Sequence, residues 1–222
     1  MHPPLVSETV DWLAQAIGPD PDEVLADMDA FAADEDFPTV GPAVGGWLAL
    51  LARAADAERA FEFGSGFGYS AYWVARELPA DGEVVLTEID RDELEMAESY
   101  FARAGLADRA RFEHGDALDV VERVDGAFDL VLLDHEMDRY VDAFEAVRDR
   151  MRSGGVVAAD NAVTAGHIDP DAMRRILAGE TVPDATDGTR GTAAYLDHLR
   201  SVEDFTSGLL PLGEGLSVSI KR

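Results

Sequence analysis

Side chains with oxygen donors follow directly on two short apolar runs of this 222-residue sequence. Asp134 ends the run FDLVLLD, and Asp160 and Asn161 end the run GGVVAADN. If the runs are neighbouring parallel strands about 4.8 Å apart, their ends bring two carboxylates and an amide oxygen together. Such hard ligands suit Mg²⁺ or a similar divalent cation with open positions for water and substrate. The alternative is that Asp160 and Asn161 only form a turn after a core strand.

Asn161 is the only asparagine of the chain, which otherwise uses aspartate freely. An amide at this place indicates that a third negative charge is unwanted. We therefore predict that Asp134, Asp160 and Asn161 bind a divalent metal ion. An ion held there would bind two adjacent oxygens of a substrate and lower the pKa of one hydroxyl group.

The segment FEFGSGFGYS (61–70) carries Gly64, Gly66 and Gly68 between an apolar run and a helical pattern. Glycines at such a place let backbone N–H groups approach a ligand closely, with a helix N-terminus behind them. Glu88 ends the second apolar run, where its carboxylate can accept both hydroxyls of a ribose. A tight strand-to-helix turn would explain the glycines alone, but the loop and the carboxylate together favour an adenosine-containing ligand.

Two further features bear on the identity of this ligand. The glycine spacing is G-x-G-x-G, not the G-x-G-x-x-G of dinucleotide sites, so a nicotinamide dehydrogenase is the weaker hypothesis. Asp116 follows the third apolar run. It either receives an adenine amino group or caps the helix that follows, or does both.

Short apolar runs alternate with helical patterns from residue 59 to residue 160. This alternation predicts an α/β fold with parallel strands and crossover helices. The near-continuous apolar strands fit a sheet that is covered on both faces. Residues 5–55 have a helical pattern, and FTSGLLPL and GLSVSIKR predict an antiparallel hairpin that closes the sheet. Residues 165–195 are rich in Asp, Gly and Thr, which predicts a mobile surface loop or lid.

The composition limits the class of protein. Acidic residues number 45 against 18 basic ones, for a net charge of −27, and Lys221 is the only lysine. Scattered acid with almost no lysine is typical of proteins from salt-loving (halophilic) organisms, in which high salt screens the self-repulsion. In dilute salt this net charge would repel nucleic acid, whereas in molar salt the repulsion is short-ranged. No basic patch in the sequence favours a nucleic acid partner. With no Cys, no apolar stretch that fits a membrane helix and no signal-peptide pattern, we expect a cytoplasmic protein without disulfides.

Several ordered motifs resemble those of a known family. E-x-G-x-G-x-G over 62–68, EID over 88–90 and GDA over 115–117 are similar to class I S-adenosylmethionine (SAM)-dependent methyltransferases. The segments LLDHEMDRY, VAADNAVTAG and LLPLGEGLSVSIKR narrow the resemblance to the metal-dependent catechol and caffeoyl-CoA O-methyltransferases. The similarity covers residues 37–222. It implies a Rossmann-like class I methyltransferase fold, with a seven-stranded, mostly parallel sheet, an antiparallel C-terminal hairpin and helices on both faces.

The chain length and the helical pattern of residues 5–55 predict the domain organisation, and the resemblance implies a cofactor site. We expect one domain over 1–222, with an N-terminal helical segment (1–55) and a SAM-binding core (56–222). Motif matching implies that Ser70 holds the methionine carboxylate and that His135 lies against the adenine. The residues expected at the cofactor are Val40, Glu62, Gly64, Gly66, Ser70, Glu88, Ile89, Asp116, Ala117, Asp134 and His135.

One position departs from the family pattern. A lysine that acts as general base follows three positions after the metal-binding aspartate in the family, whereas this sequence has Met137. Three interpretations remain open. In the first, the metal activates the substrate, and the proton goes to water, Glu136 or His135. In the second, the substrate is intrinsically more acidic or presents another nucleophile. In the third, the protein binds the cofactor without turnover. The first interpretation makes Asp134, Glu136 and His135 the candidate catalytic residues.

The leading hypothesis is a SAM- and Mg²⁺-dependent O-methyltransferase of a small, catechol-like hydroxylated acceptor. Its alternatives are a methyltransferase of a modified tRNA nucleoside and a non-catalytic SAM-binding protein. The apolar N-terminal helices, which carry Trp12 and Trp47, predict a self-association surface and hence a homodimer.

Overall fold

The computed structural model describes residues 5–222, and seven strands form one sheet within that range. The order of the strands is β3-β2-β1-β4-β5-β7-β6. The pairs among β1 to β5 are parallel, whereas β7 runs antiparallel to both β5 and β6. The expected sheet with a reversed C-terminal hairpin is therefore confirmed. The strands are β1 Arg59–Phe63, β2 Glu83–Glu88, β3 Ala110–His114, β4 Phe128–Leu133, β5 Met151–Ala159, β6 Phe205–Leu210 and β7 Leu216–Lys221.

Nine α-helices surround the sheet in the described part of the chain. Aspartate side chains accept backbone N–H bonds at the starts of four of them, so part of the acidic composition serves as N-caps. A 3-10 turn over Met137–Arg139 leads from β4 into the seventh helix. The helices are α1 Glu8–Ile17, α2 Glu23–Glu35, α3 Gly41–Ala54, α4 Tyr69–Glu77, α5 Arg91–Ala104, α6 Ala117–Arg123, α7 Tyr140–Arg148, α8 Pro170–Leu177 and α9 Asp187–Ser201.

Two apolar cores cover the two faces of the sheet. Successive residues of β4 enter opposite cores: Leu130 and Leu132 pack with α2 to α5, and Val131 and Leu133 pack with α6, α7 and α9. Side chains alternate between the faces of a strand, so a strand buried on both faces must be apolar throughout. This explains why β4 has no polar residue except Asp129 before its end, and why the first polar side chain after it, Asp134, lies at the carboxyl edge of the sheet.

The expectation of a mobile loop over residues 165–195 is wrong, because α8 and the first part of α9 lie in this range. Asp169 accepts N–H bonds at the start of α8, and Thr186 does the same for α9. Thr189 and Tyr195 on α9 are fully buried. Asp, Gly and Thr here begin helices, which composition alone does not distinguish from a loop.

The apolar face of the N-terminal helix α1 is exposed to solvent. Trp12 is 64% exposed and Ile17 is 84% exposed, and no residue of α1 is buried by the rest of the described chain. Self-association through this face stays a prediction. No helix within residues 5–222 combines the length and the apolar character that crossing a membrane requires.

Helices α3 and α4 pack closely through Gly45, because a Cβ atom at that position would overlap the buried indole ring of Trp73. We expect Gly45→Ala to lower the free energy of unfolding by about 1–2 kcal/mol, since overpacking costs roughly 1–3 kcal/mol and outweighs the gain in helix propensity. Chemical denaturation at high salt measures it. The control is Gly166→Ala, whose new methyl group meets open space; equal effects of the two substitutions would contradict the packing argument.

Candidate active site

A cavity of about 720 Å³ lies over the carboxyl ends of β1, β2, β4 and β5. Open α/β sheets bind their ligands at this edge. The glycine loop forms one side of the cavity, residues 37–40 before α3 form a second side, and the β6–β7 turn contributes Glu214. Of the predicted site residues, all except Glu62 line this cavity.

The glycine loop bends sharply so that two strand ends can meet. Gly64, Gly66 and Gly68 have positive φ angles of 77°, 49° and 86°. A Cβ atom on Gly64 would lie 2.5 Å from the backbone oxygen of Asp134 and 3.2 Å from the Cα of His135. Only glycine allows both the backbone conformation and this approach. Gly64 therefore brings the end of β1 against the residues that follow β4.

Glu88 holds the loop at the end of β2. One carboxylate oxygen accepts the N–H of Gly66 at 2.9 Å, and the other accepts those of Ile89 at 2.7 Å and Asp90 at 2.9 Å. The loop is thus shaped before any ligand arrives. Glu88 and Ile89 both line the cavity, and their contact with a cofactor stays a prediction.

Glu62 lies beneath the cavity and reaches it through Ser70. The Ser70 hydroxyl, which lines the cavity, donates to Glu62 Oε1, while the buried Oε2 has no hydrogen-bond partner within residues 5–222. Burial raises the pKa of Glu62 to about 8, the hydrogen bond from Ser70 opposes this, and the negative charge of Glu88 adds to it. The carboxyl group is therefore largely protonated at neutral pH.

Asp134, Asp160 and Asn161 meet as the sequence predicted. The Asn161 amide donates to Asp134 Oδ1 at 3.0 Å, from a backbone with a φ of 56° that Asn tolerates better than most residues. Asp160 is buried, and its Oδ1 has no hydrogen-bond partner in the described part of the chain. Tyr140 fixes the same turn by donating to the Asp160 backbone oxygen at 3.2 Å.

Neither Asp134 nor Asp160 pairs with a positively charged side chain within residues 5–222. Burial raises the pKa of Asp134 to about 7, and the charges of Glu62 and Glu214 add to this. Burial and the charge of Asp134 raise the pKa of Asp160 well above its usual value. No cluster of three His, Cys, Asp or Glu able to hold a metal occurs within residues 5–222. The unpartnered oxygen and the raised pKa values nevertheless fit a cation site whose third ligand is the Asn161 amide.

His135 lies between the rings of Phe63 and Tyr140, with centroid distances of 5.3 Å to each. Neither ring nitrogen has a hydrogen-bond partner among the described residues. Burial lowers the pKa of His135 to about 4, so the ring is neutral and a weak base at pH 7. Glu136 is half exposed and lies 3.6 Å from Arg139, on the side of the cavity towards Asp116.

Asp116 forms an ion pair with Arg139 at the other end of the cavity. Its two oxygens contact the two terminal nitrogens of Arg139, each at 2.9 Å, and this lowers the pKa of Asp116. Asp116 also accepts the Leu118 N–H at 2.9 Å and so caps α6. Val40 and Ala117 line the cavity as expected. From the sequence, Arg139 is best interpreted as a helix-start residue that could pair with a neighbouring carboxylate; the sequence does not identify that carboxylate as Asp116, which lies 23 positions earlier.

Sequence reasoning missed Glu214, which lines the cavity from the β6–β7 turn. The motif GEG predicted a turn, but not that the turn returns to the ends of β4 and β5. Met137, in contrast, does not line the cavity. It packs against the apolar core that contains Tyr140 and Tyr195. The lysine position of the family pattern is therefore occupied here by a residue that serves the core.

Comparisons with known proteins agree with this geometry. A sequence model of the O-methyltransferase family matches residues 17–182. Catechol O-methyltransferase of Niastella koreensis is 31% identical over 169 residues, covering 73% of this chain and 76% of that protein. Caffeoyl-CoA O-methyltransferase 3 of Nicotiana tabacum is 30% identical over 139 residues, covering 59% and 57%. The O-methyltransferase TomG of Streptomyces achromogenes, involved in tomaymycin synthesis and solved in complex with SAM, is 28% identical, with a TM-score of 0.81 and 96% of each chain covered.

The buried Glu62 makes the stability of the protein depend on pH. Its pKa rises from 4.5 to about 8 on folding, so its contribution to stability is lost as pH rises through this interval. Glu62→Gln keeps an acceptor for Ser70 and cannot ionise. We expect the free energy of unfolding of the variant, relative to the wild type, to increase with pH by up to ~1.4 kcal/mol per unit. Denaturation curves at several pH values measure this; a difference that does not change with pH would contradict it.

Proposed function

The chain belongs to the O-methyltransferase family, and we propose that it transfers the methyl group of SAM to a hydroxyl oxygen of a small acceptor beside a bound divalent cation. One observation carries the proposal. A single cavity joins the glycine loop and Glu88 to the buried Asp160 and the partly buried Asp134 and Asn161. A nucleoside site and a set of cation ligands thus open onto the same space.

The cofactor end of the cavity has groups for each part of SAM. Glu88 keeps a carboxylate for the ribose, and Ser70 offers a hydroxyl for the methionine portion. The Asp116–Arg139 pair and the flat His135 ring border the space for the adenine. The TomG relative, described in complex with SAM, has the same fold over 96% of this chain. These features support the assignment of Glu62, Gly64, Gly66, Ile89, Val40 and Ala117 to the walls and floor of the cofactor site.

Asp134, Asp160 and Asn161 would hold the cation, for which Mg²⁺ is the best match to two carboxylates and an amide oxygen. When bound, the cation supplies Lewis acidity that lowers the pKa of the acceptor hydroxyl, and SAM supplies a methyl group on a positive sulfonium. The cation and the sulfonium of SAM would both bring positive charge close to the carboxylates of Asp134 and Asp160. Burial raises the pKa values of Asp134 and Asp160, because it disfavours their ionised forms, and bound positive charge would stabilise those forms.

The protein itself orients the reactants and excludes water. Phe37, Val40 and Phe67 give the cavity an apolar wall beside the polar strand ends. A site of low polarity favours a transfer in which a positive sulfonium and a negative oxygen neutralise each other. The acidic strand ends would thus fix the acceptor oxygen, while the glycine loop fixes the methyl donor.

The acceptor we propose is a vicinal diol or a catechol-like aromatic compound. A hard cation with open positions binds two adjacent oxygens, and a relative that is 31% identical carries the name catechol O-methyltransferase. A modified tRNA nucleoside is the alternative acceptor, and the net charge of −27 disfavours it. Binding of SAM without transfer is the remaining alternative, raised by Met137.

Replacing Asp160 tests the cation site. We expect Asp160→Ala to lower methyl transfer to catechol at least ~10²-fold, because the substitution removes a ligand of the activating ion. EDTA should inhibit the wild type to a similar extent, and added Mg²⁺ should restore activity. The measurement is formation of methylated catechol from SAM.

Two readouts besides activity complete this test. Mg²⁺ should raise the melting temperature of the wild type but not of Asp160→Ala. The control Asp171→Ala removes an exposed carboxylate of α8 and should behave as the wild type. Transfer that continues in Asp160→Ala and in EDTA would exclude a metal-dependent reaction. SAM binding without transfer to any acceptor would favour the non-catalytic alternative.

A further inference from the structure

We propose that the carboxylate of Glu214 accepts the proton of the acceptor hydroxyl and so takes the catalytic part that the family pattern gives to lysine. The inference rests on the proposed function, because it needs an acceptor at the ends of β4 and β5. Sequence reasoning left this proton to water, Glu136 or His135. The structure offers a different group.

The other acidic and basic groups of the cavity are engaged elsewhere. Both oxygens of Glu88 hold backbone N–H groups, and Asp116 is paired with Arg139. Glu136 lies near the same arginine. His135 is enclosed between two aromatic rings with neither nitrogen bonded.

Asp134 and Asp160 are the proposed cation ligands, which leaves one carboxylate of the cavity without an assigned part. Glu214 makes no ion pair within residues 5–222, and it lines the cavity as an exposed residue. It is therefore the group able to take a proton without losing a structural contact.

The backbone of the β6–β7 turn is fixed against the metal-site turn. The Glu214 carbonyl oxygen accepts the N–H of Val163 at 3.1 Å and that of Thr164 at 2.8 Å. The Gly215 oxygen accepts the N–H of Ala162 at 2.8 Å. The three residues that follow Asn161 therefore set the position of Glu214. An acceptor held by the ligand set would meet this turn.

The other side of the turn packs on α3. A Cβ atom at Gly213 would lie 2.8 Å from a methyl group of Val44 and 3.5 Å from the Val40 oxygen. Gly213 and Gly215 both have positive φ angles, of 56° and 94°. The G-E-G sequence thus lets the turn fit between α3 and the metal-site turn, with the one side chain between the glycines at the cavity.

Glu214 interacts electrostatically with three titratable groups. Asp134 and Asp160, at the ends of β4 and β5, each have a pKa that the charge of Glu214 raises. His167, which precedes α8, lowers the pKa of Glu214, whereas partial burial, the larger effect, raises it. The Glu214 carboxylate thus interacts electrostatically with Asp134 and Asp160, and it is exposed enough to exchange a proton with water.

The proposed step balances in atoms and charge. The O–H bond of the acceptor breaks, its proton passes to a carboxylate oxygen of Glu214, and the electron pair stays on the acceptor oxygen. That pair forms the new O–CH₃ bond while the S–CH₃ bond of SAM breaks and leaves S-adenosylhomocysteine. Glu214 then returns the proton to solvent.

The test compares two acceptors of different acidity. Glu214→Gln should lower kcat/KM for catechol about 10²-fold, in the range expected for loss of a general base. The loss should stay below about 5-fold for a nitrocatechol, whose hydroxyl is already ionised near neutral pH, because that acceptor needs no base. Affinities for SAM and for Mg²⁺, measured by calorimetry, should equal those of the wild type. Glu214→Asp should retain more activity on catechol than Glu214→Gln.

The control is Glu203→Gln, which removes an exposed carboxylate at the far end of the same hairpin, outside the cavity. It should leave both acceptors unaffected. Equal losses on catechol and nitrocatechol in Glu214→Gln would overturn the proposal in favour of a positioning effect, and no loss on either would overturn it in favour of water. A wild type that binds SAM but methylates neither acceptor would instead overturn the proposed function, and this proposal with it.

Discussion

The site depends on one electrostatic constraint: carboxyl groups from three adjacent strand ends have little contact with solvent, and no Arg or Lys side chain pairs with them in the described part of the chain. Glu62 and Asp160 are almost fully buried, Asp134 is partly buried at the cavity, and none of the three makes an ion pair in the described part of the chain. Burial of unpaired negative charge is strongly unfavourable, so such groups bind protons or cations. The raised pKa values of all three express the same fact. The bent glycine loop and the left-handed Asn161 matter because they hold these groups close together.

The opposite ends of the cavity differ in charge, and the difference matches the parts of the proposed ligands. Asp116 and Arg139 neutralise each other where the uncharged adenine would lie. The ends of β4 and β5 keep a negative excess where a sulfonium and a divalent ion would meet. A dinucleotide would instead bring phosphate charge to this acidic edge. The G-x-G-x-G spacing and the electrostatics therefore disfavour a nicotinamide cofactor for independent reasons.

The sequence predicted those parts of the site that depend on strand ends. An apolar run that stops at Asp134 or Asp160 marks both the strand and the edge where ligands bind, so the contact between Asp134 and Asn161 could be predicted. Glu214 was not, because its position depends on the reversed β7 bringing a distant turn beside β5. Nor was the weak basicity of His135, which results from two rings, Phe63 and Tyr140, that reach it from different parts of the chain. Helices α8 and α9 escaped prediction because their capping residues also occur in loops.

The packing around position 137 explains why a methionine, and not a lysine, occupies it. The 3-10 turn Met137–Arg139 lies against α9 so closely that a Cβ atom at Gly191 would overlap the backbone of Asp138. In this arrangement the Met137 side chain belongs to the core on the α9 side of the sheet. A lysine there would have to bury an ammonium group among apolar residues or turn away from the core, and each choice costs free energy. A carboxylate on the β6–β7 turn avoids that cost. Glu214 is exposed at the cavity, so water can solvate its ionised form, and its protonated form carries no charge. Because Met137 packs against the core beside α9, the proposed proton acceptor, Glu214, comes from a different element of the fold.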